Sequence, residues 1–302
     1  MLASALAGGA AQAETLPVEG VYGAPVEVPA AIERIAVERF SGDRGFGLQS
    51  ILRETLSEPV LESAFFTFIP ASLVVREGGA VPDAALAGHA DGFVSDYRTD
   101  PKTKSRCIKR DAEDKCVERE RYEVACRELR VDYEAEVSLV AREGEAVYHA
   151  SDQLSDTARY CADDNHSPDP AAMLDALEAR FATRVERDLL PAYRQSTPRL
   201  MERRRGLSGA DRRVFKHALH ASDRDLRTGC EAFRALETAN PQHVSVLFNI
   251  GLCFESEGAL GSALDYYARA LEIEPGKDYP EAGQRRVLSR LRGEAQLDAR
   301  GM

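Results

Sequence analysis

The chain lacks most signatures that assign a protein to a chemistry at sight. No run of about 18 apolar residues occurs, so no membrane-crossing helix is expected. The six cysteines include no pair at the two-to-four-residue spacing of a zinc knuckle. The six histidines sit in no metal or nucleophile motif: His217 and His220, three apart on an expected helix, could share a metal or simply face solvent. Asp163, Asp164, His166 and Asp169 form a polar loop without the alternation and glycine of a calcium loop. The stretch from Gly42 to Gly47, GDRGFG, could cradle an anion at a helix N-terminus, but it lacks the Lys-Ser/Thr of a phosphate loop. No metal or other cofactor is expected.

Basic charge is also scarce. The net charge is −11, and it is unevenly placed: residues 14–200 hold 35 acidic and 23 basic side chains, residues 201–302 hold 15 and 16. An acidic first part disfavours nucleic acid, whose nonspecific binding depends on neutralising phosphates. With 302 residues, 44% of them hydrophobic, the chain can build ordinary cores, and the charge asymmetry points to two domains.

What is present is concentrated in residues 244–275, VSVLFNIGLCFESEGALGSALDYYARALEIEP. Leu247, Ile250, Gly251 and Phe254 make a helical stripe with a gap at Gly251. Gly258 marks a turn. Ala263, Tyr267, Ala270 and Leu271 repeat the stripe on a second helix, where the alanines admit a close backbone and Tyr267 fills the space between. Pro275 ends it.

These residues resemble the tetratricopeptide repeat, with Leu247 at the usual tryptophan position and Ile250, Gly251, Phe254, Gly258, Ala263, Tyr267, Ala270 and Pro275 in register. Phe233 and Pro241 lie 34 residues before Tyr267 and Pro275, which implies a second, degenerate repeat in which Gly229 replaces the expected alanine. Downstream, Pro280-Glu281-Ala282 opens a capping helix whose Val287, Leu288 and Leu291 are expected to cover the open end. The resemblance implies a binding groove, with Asn249, Glu255, Tyr266 and Arg269 pointing away from the core as partner contacts.

In the first part, RIAVERF at 34–40 reads as a strand, 47–57 as an amphipathic helix, 65–69 as a strand, 84–89 as a short helix and 92–97 as a strand. Leu129, Val131, Tyr133, Val137 and Leu139 then alternate with charged residues, and 147–154 returns as the hairpin partner. Residues 170–190 form a helix across the sheet. This order, carried by RIAVERFSGD, GLQSILRETLSE, HADGFVSDYR and RVDYEAEVSLVAREGEAVYHA, resembles the periplasmic α/β domain of curli-secretion lipoproteins (CsgG-like) and of lipoprotein activators of peptidoglycan synthases. It implies an envelope-assembly or accessory role.

The expected class is therefore α+β. A signal peptide at 1–13 is followed by an extended segment at 14–32, an α/β sandwich-type domain with a long antiparallel hairpin at 33–200 and a helical repeat domain at 201–302. Export to the periplasm rests on the small apolar N-terminal run closed by Ala11-Gln12-Ala13. The cysteines agree with it: of fifteen connectivities the preferred set is Cys107–Cys116 at a hairpin tip, Cys126–Cys161 from a strand to a loop, and Cys230–Cys253 between adjacent helices. A reduced, buried Cys253 is the alternative. The leading expectation is a noncatalytic scaffold holding an envelope protein. An enzyme that gathers Asp91, Asp96 and Asp152 across strands is the second class, and a self-assembling homo-oligomeric subunit the third.

Overall fold

A computed structural model describes residues 14–69, 81–222 and 224–302. In chain order the elements are β1 (Val18–Tyr22), β2 (Arg34–Val37), α1 (Gly45–Thr55), β3 (Pro59–Val60), β4 (Ser63–Ala64), β5 (Thr67–Ile69), β6 (Ala84–Arg110), β7 (Cys116–Ala141) and β8 (Ala146–Cys161). They are followed by α2 (Pro170–Leu189), β9 (Ala192–Ser196), α3 (Gly209–Ser222), α4 (Leu226–Glu237), α5 (Val244–Ser256), α6 (Leu260–Ile273) and α7 (Asp278–Asp298). The architecture is α+β in two compact units.

One unit comprises Pro25–Leu190. Its sheet runs β5-β2-β6-β7-β8, with β2 parallel to β5 and β6 and the remaining pairs antiparallel. The alternation in β7 behaves as period two requires: Leu129, Val131, Tyr133, Val137 and Leu139 are all buried. Against this face lie α1, through Leu48 and Leu52, and α2, through Leu174, Leu177, Phe181 and Val185. Asp169 caps α2 by accepting from the Ala171 amide, and Pro170 occupies its first turn.

Residues 84–89 are strand, not helix. Ala84 and Leu86 are buried, residues 84–86 pair with β2 on one side, and the whole stretch pairs with β7 on the other, so two neighbours supply ladder bonds that a helix would forgo. Gly88 within this strand makes room for a neighbour, because a Cβ there would lie 2.3 Å from the Phe40 ring.

The glycine-rich stretch before α1 already has its anion. Arg44 Nε donates to Glu178 at 2.9 Å, and a Cβ on Gly47 would sit 2.4 Å from the same carboxylate, which is almost fully buried. Burial pushes the Glu178 carboxyl up, and the Arg44 guanidinium opposes it.

Beyond the end of β8, β6 and β7 continue as a two-stranded ribbon to the tip. Such a ribbon is marginal alone, and both its ends are stapled. Cys126–Cys161 closes the root, where β8 stops, and Cys107–Cys116 closes the tip. Next to the root staple, Val124, Cys126, Cys161 and Tyr122 form a small apolar cluster, with Arg106 over the Tyr122 ring and Lys104 paired with Asp163.

The second unit combines the described residues up to Ala24 with Pro191–Met302. Part of the segment expected to be extended is thus strand β1, which pairs with β9 and lies on α7. The contact is close because two glycines allow it: a Cβ on Gly293 would meet the Val21 carbonyl at 2.5 Å, and one on Gly23 would meet the Gly293 amide at 2.7 Å. Helices α3–α4 and α5–α6 form successive antiparallel-type pairs in a helical-repeat-like stack covered by α7. Gly229, in place of alanine, has a plain reason: its Cβ would fall 2.3 Å from Ser222 Oγ across the α3–α4 contact. Cys230–Cys253 then joins α4 to α5. On α7, Val287 is fully buried and Leu291 packs on the core, but Leu288 is half exposed, one helical step off the inward face.

Asp83, at the start of β6, accepts from the Arg34 side chain at 2.9 Å, the Arg34 amide at 2.9 Å and Arg142 at 3.0 Å. The Arg34 hydrogen bond leads in holding its carboxyl down at about 2, below the ordinary 3.8. A depressed folded-state pKa stabilises above the unfolded value, so this contribution is lost as pH falls from about 4 to about 2. Urea titrations across that window are expected to show a steeper loss for the native chain than for Asp83→Asn. For the ribbon, replacing Cys126 and Cys161 together by alanine is expected to speed amide exchange at residues 102–124 while Leu129–Leu139 stays protected.

Candidate partner-binding surface

Tyr267 on α6 organises the helical stack. Its ring lies between two glycines: a Cβ on Gly251 of α5 would meet it at 2.8 Å and one on Gly283 of α7 at 2.6 Å. The phenol donates to Glu255 at 2.6 Å. Glu255, fully buried, also accepts from Arg286 Nε at 2.9 Å and Nη2 at 2.7 Å, while its backbone carbonyl accepts from Arg290 at 2.9 Å. Burial would lower the Arg286 pKa, yet the Glu255 hydrogen bonds and charge raise it; burial followed by the Glu255 charge raises that of Tyr267. Helices α5, α6 and α7 are thereby locked by one carboxylate.

That geometry corrects two expected contacts. Glu255 and Asn249 do not point outward; both are fully buried. Asn249 accepts from the Met201 amide at 2.8 Å and donates to the Met201 carbonyl at 3.0 Å, so it pins the segment before α3 as a strand neighbour would. A polar residue at a helical position that looks solvent-facing in one repeat is buried here because α7 and the 200–207 segment cover that side.

Tyr266 and Arg269 are partly exposed, as expected, and belong to a ladder that the sequence pattern did not disclose. Arg234 of α4 lies over the Phe254 ring at 4.5 Å, Phe254 stacks on Tyr266 at 5.4 Å, and Arg269 covers the Tyr266 ring at 4.7 Å. Glu237 ties the far end, accepting from Tyr266 at 2.6 Å and Arg269 at 2.8 Å. Burial alone would raise the Glu237 carboxyl, but these two donors hold it below its ordinary value. Phe254 is therefore half-buried and part of this surface rather than enclosed core. Leu247, Ile250, Ala263, Tyr267 and Ala270 are fully buried, Gly251 is buried, Gly258 turns the chain with φ +79°, and Pro275 follows the end of α6. The signal for the ladder lay in the three-residue spacings Arg234–Glu237 and Tyr266–Arg269, which put each pair on one helix face.

A cleft of about 240 Å³ opens at the start of α5, lined by Arg203, Arg205, Gln242, His243, Ser245 and Glu274. His243 accepts from the Val246 amide through Nδ1 and donates through Nε2 to the Arg205 carbonyl at 3.1 Å. Burial lowers its pKa, which agrees with this neutral tautomer. Arg203 is paired with Glu274 at 2.9 Å.

The three carboxylates considered for catalysis do not share a site. Asp91 and Asp96 are five residues apart on β6, about 16 Å along a strand and on opposite faces. Asp96 is held by Arg127 at 2.9 Å and Tyr160 at 3.0 Å, and Asp152 by Arg184 at 3.0 Å. In the loop after Cys161, Asp163 pairs with Lys104, Asp164 accepts from the Cys161 amide at 2.6 Å, and Asp169 caps α2. His220 faces Glu14 at 3.2 Å. Among the described residues no group of three or more metal-ligating side chains converges, and no helix is long and apolar enough to cross a membrane.

No family model matches the chain, and no curated protein sequence does. Among solved structures it is similar to a PelC dodecamer from Paraburkholderia phytofirmans, with 13% identity over 55% of this chain and 94% of that chain and a TM-score of 0.24. A minor lipoprotein from Acinetobacter baumannii shows 10% identity over 52% of this chain and 91% of that chain, TM-score 0.24. Rare lipoprotein B from Shewanella oneidensis shows 13% identity over 51% and 90%, TM-score 0.22. All three scores are below 0.5, so function is argued from this chain's own residues.

The buried and the exposed charge pairs are expected to behave differently. Glu255→Ala should cost about 3–5 kcal/mol in urea unfolding, since it strands Arg286 and the Tyr267 hydroxyl. Arg269→Ala, at a partly exposed pair, should cost no more than about 1 kcal/mol.

Proposed function

We propose that this chain is an exported binding protein of the tetratricopeptide type, whose helical unit holds a protein partner of the cell envelope. The observation that carries this is the Arg234–Phe254–Tyr266–Arg269 ladder. Aromatic and arginine side chains dominate binding energy at protein interfaces, and side chains already stacked across three helices lose little freedom when a partner covers them. Glu237 holds the ladder from one end and the Cys230–Cys253 bridge fixes α4 to α5 beneath it. Three disulfides and no free cysteine support a working life in an oxidising compartment, which suits the periplasm. In the Pro25–Leu190 unit, the stapled ribbon gives an accessory surface of mixed charge. The unit is read as a CsgG-like envelope domain on the motif resemblance.

The test uses the full chain, because β1 belongs to the helical unit. Photo-crosslinking from position 262, beside the ladder, in a native envelope extract is expected to yield a discrete adduct. Replacing Tyr266 and Arg269 together by alanine should weaken its formation at least about 10-fold, the loss of one to two moderate hot-spot residues. An adduct that survives the double replacement in a folded protein would remove the basis for placing the partner here.

A further inference from the structure

The β2–α1 turn brings together Ser41, His89 and Asp91, which nothing in the binding role of the helical unit uses. Ser41 Oγ lies 2.9 Å from His89 Nδ1, and His89 Nε2 lies 3.0 Å from Asp91 Oδ2. Asp91 is itself oriented, since its other oxygen accepts from the Asp43 amide at 2.9 Å. A carboxylate can only accept, so the proton of the imidazole sits on Nε2 and the Nδ1 lone pair faces the serine hydroxyl. This is the polarity of a nucleophile, a base and an orienting acid.

The local fold holds the serine where a nucleophile would stand. Ser41 lies in the connection between β2, which ends at Val37, and α1, which begins at Gly45. Its backbone is clamped to β6 by Ser41 N–H to the Gly88 carbonyl at 3.1 Å and by the Ala90 amide to the Ser41 carbonyl at 3.0 Å. Gly42, with φ +90°, is obligatory, because a Cβ there would lie 2.0 Å from the Ala90 carbonyl oxygen. Asp43 closes the turn from its other side by accepting from the Gly92 amide at 2.9 Å. These bonds secure the turn without the serine hydroxyl or the imidazole. The His89 ring is about half exposed and opens onto a groove of about 510 Å³ lined by Glu134, Glu136, Ser151 and Gln153.

We propose that Ser41, His89 and Asp91 form an esterase site for polar carboxylic esters carrying a positive charge, which the Glu134 and Glu136 side of the groove would favour. As Nδ1 takes the hydroxyl proton, Ser41 Oγ bonds to the carbonyl carbon. The bond to the leaving alcohol breaks, and Nδ1 returns that proton to the alkoxide. Water then attacks the acyl-serine with its proton taken by Nδ1; the carboxylic acid departs and the proton goes back to Ser41. The Gly42 amide, next after the nucleophile, would supply a donor to the oxyanion.

The experiment labels the full chain with a fluorophosphonate, maps the adduct by peptide mass and follows by pH-stat the hydrolysis of acetylcholine beside its uncharged analogue 3,3-dimethylbutyl acetate. Labelling at Ser41 is expected, with both labelling and turnover falling about 100-fold in His89→Gln, the lower range for loss of a general base. His166→Gln, in the exposed loop before α2 and outside both triad and groove, should change neither by more than about twofold. The charged ester should be preferred, and Glu134→Gln with Glu136→Gln should erase the preference. Absence of a Ser41 adduct in the native chain overturns the proposal, as does equal labelling in His89→Gln; a native chain that shows no preference for the charged ester overturns the substrate class.

Discussion

The helical unit depends on one buried carboxylate. Glu255 accepts from the phenol of one helix and from a guanidinium of another, and its own backbone carbonyl takes a second arginine. A fully buried ion pair gains little over apolar packing, but removing one member leaves a charge without water or partner. Its value here is orientation. Tyr267 fits only where Gly251 and Gly283 leave room, and the Glu255 bond fixes the ring in that slot, so the spacing of α5, α6 and α7 is set by one side chain of defined size. The ladder on α4, α5 and α6 inherits its registry from this arrangement.

In the Pro25–Leu190 unit, the comparable constraint is the long β6–β7 pairing. Where helices α1 and α2 cover the sheet, apolar alternation and burial hold it. Past the end of β8 no third strand lies among the described residues and there is little apolar surface, and covalent bonds take over at root and tip. The same strand β6 also receives the β2–α1 turn, so its early residues serve both as a packed face and as the support for Ser41 and Asp43. Gly42 and Gly88 mark where backbone or ring comes too close for any side chain.

Much of this was legible because it is local. The repeat stripe, the alternation of β7, the α2 helix and its proline all express periodicity or turn chemistry within a few residues; the disulfide set, with partners 9, 35 and 23 residues apart, was legible because the elements that carry them were expected to be neighbours. Residues 84–89 misled because three alanines and a glycine carry no strong strand preference; pairing on both sides decided the matter. Asn249 and Glu255 misled for a related reason. Helical spacing gives a residue's direction, but not whether a later element, here α7 or the 200–207 segment, will cover it.

The sequence by itself determined the α+β class, the paired helices and the inward residues of the repeat, since each depends on side-chain period or on neighbours close in the chain. Tertiary structure alone decided which polar residues are buried, how Arg234, Phe254, Tyr266 and Arg269 stack, and that Ser41 meets His89 and Asp91. Those arrangements join residues from separate elements through close approaches that glycines permit, and no periodicity along a single chain encodes which two surfaces will come within hydrogen-bonding distance.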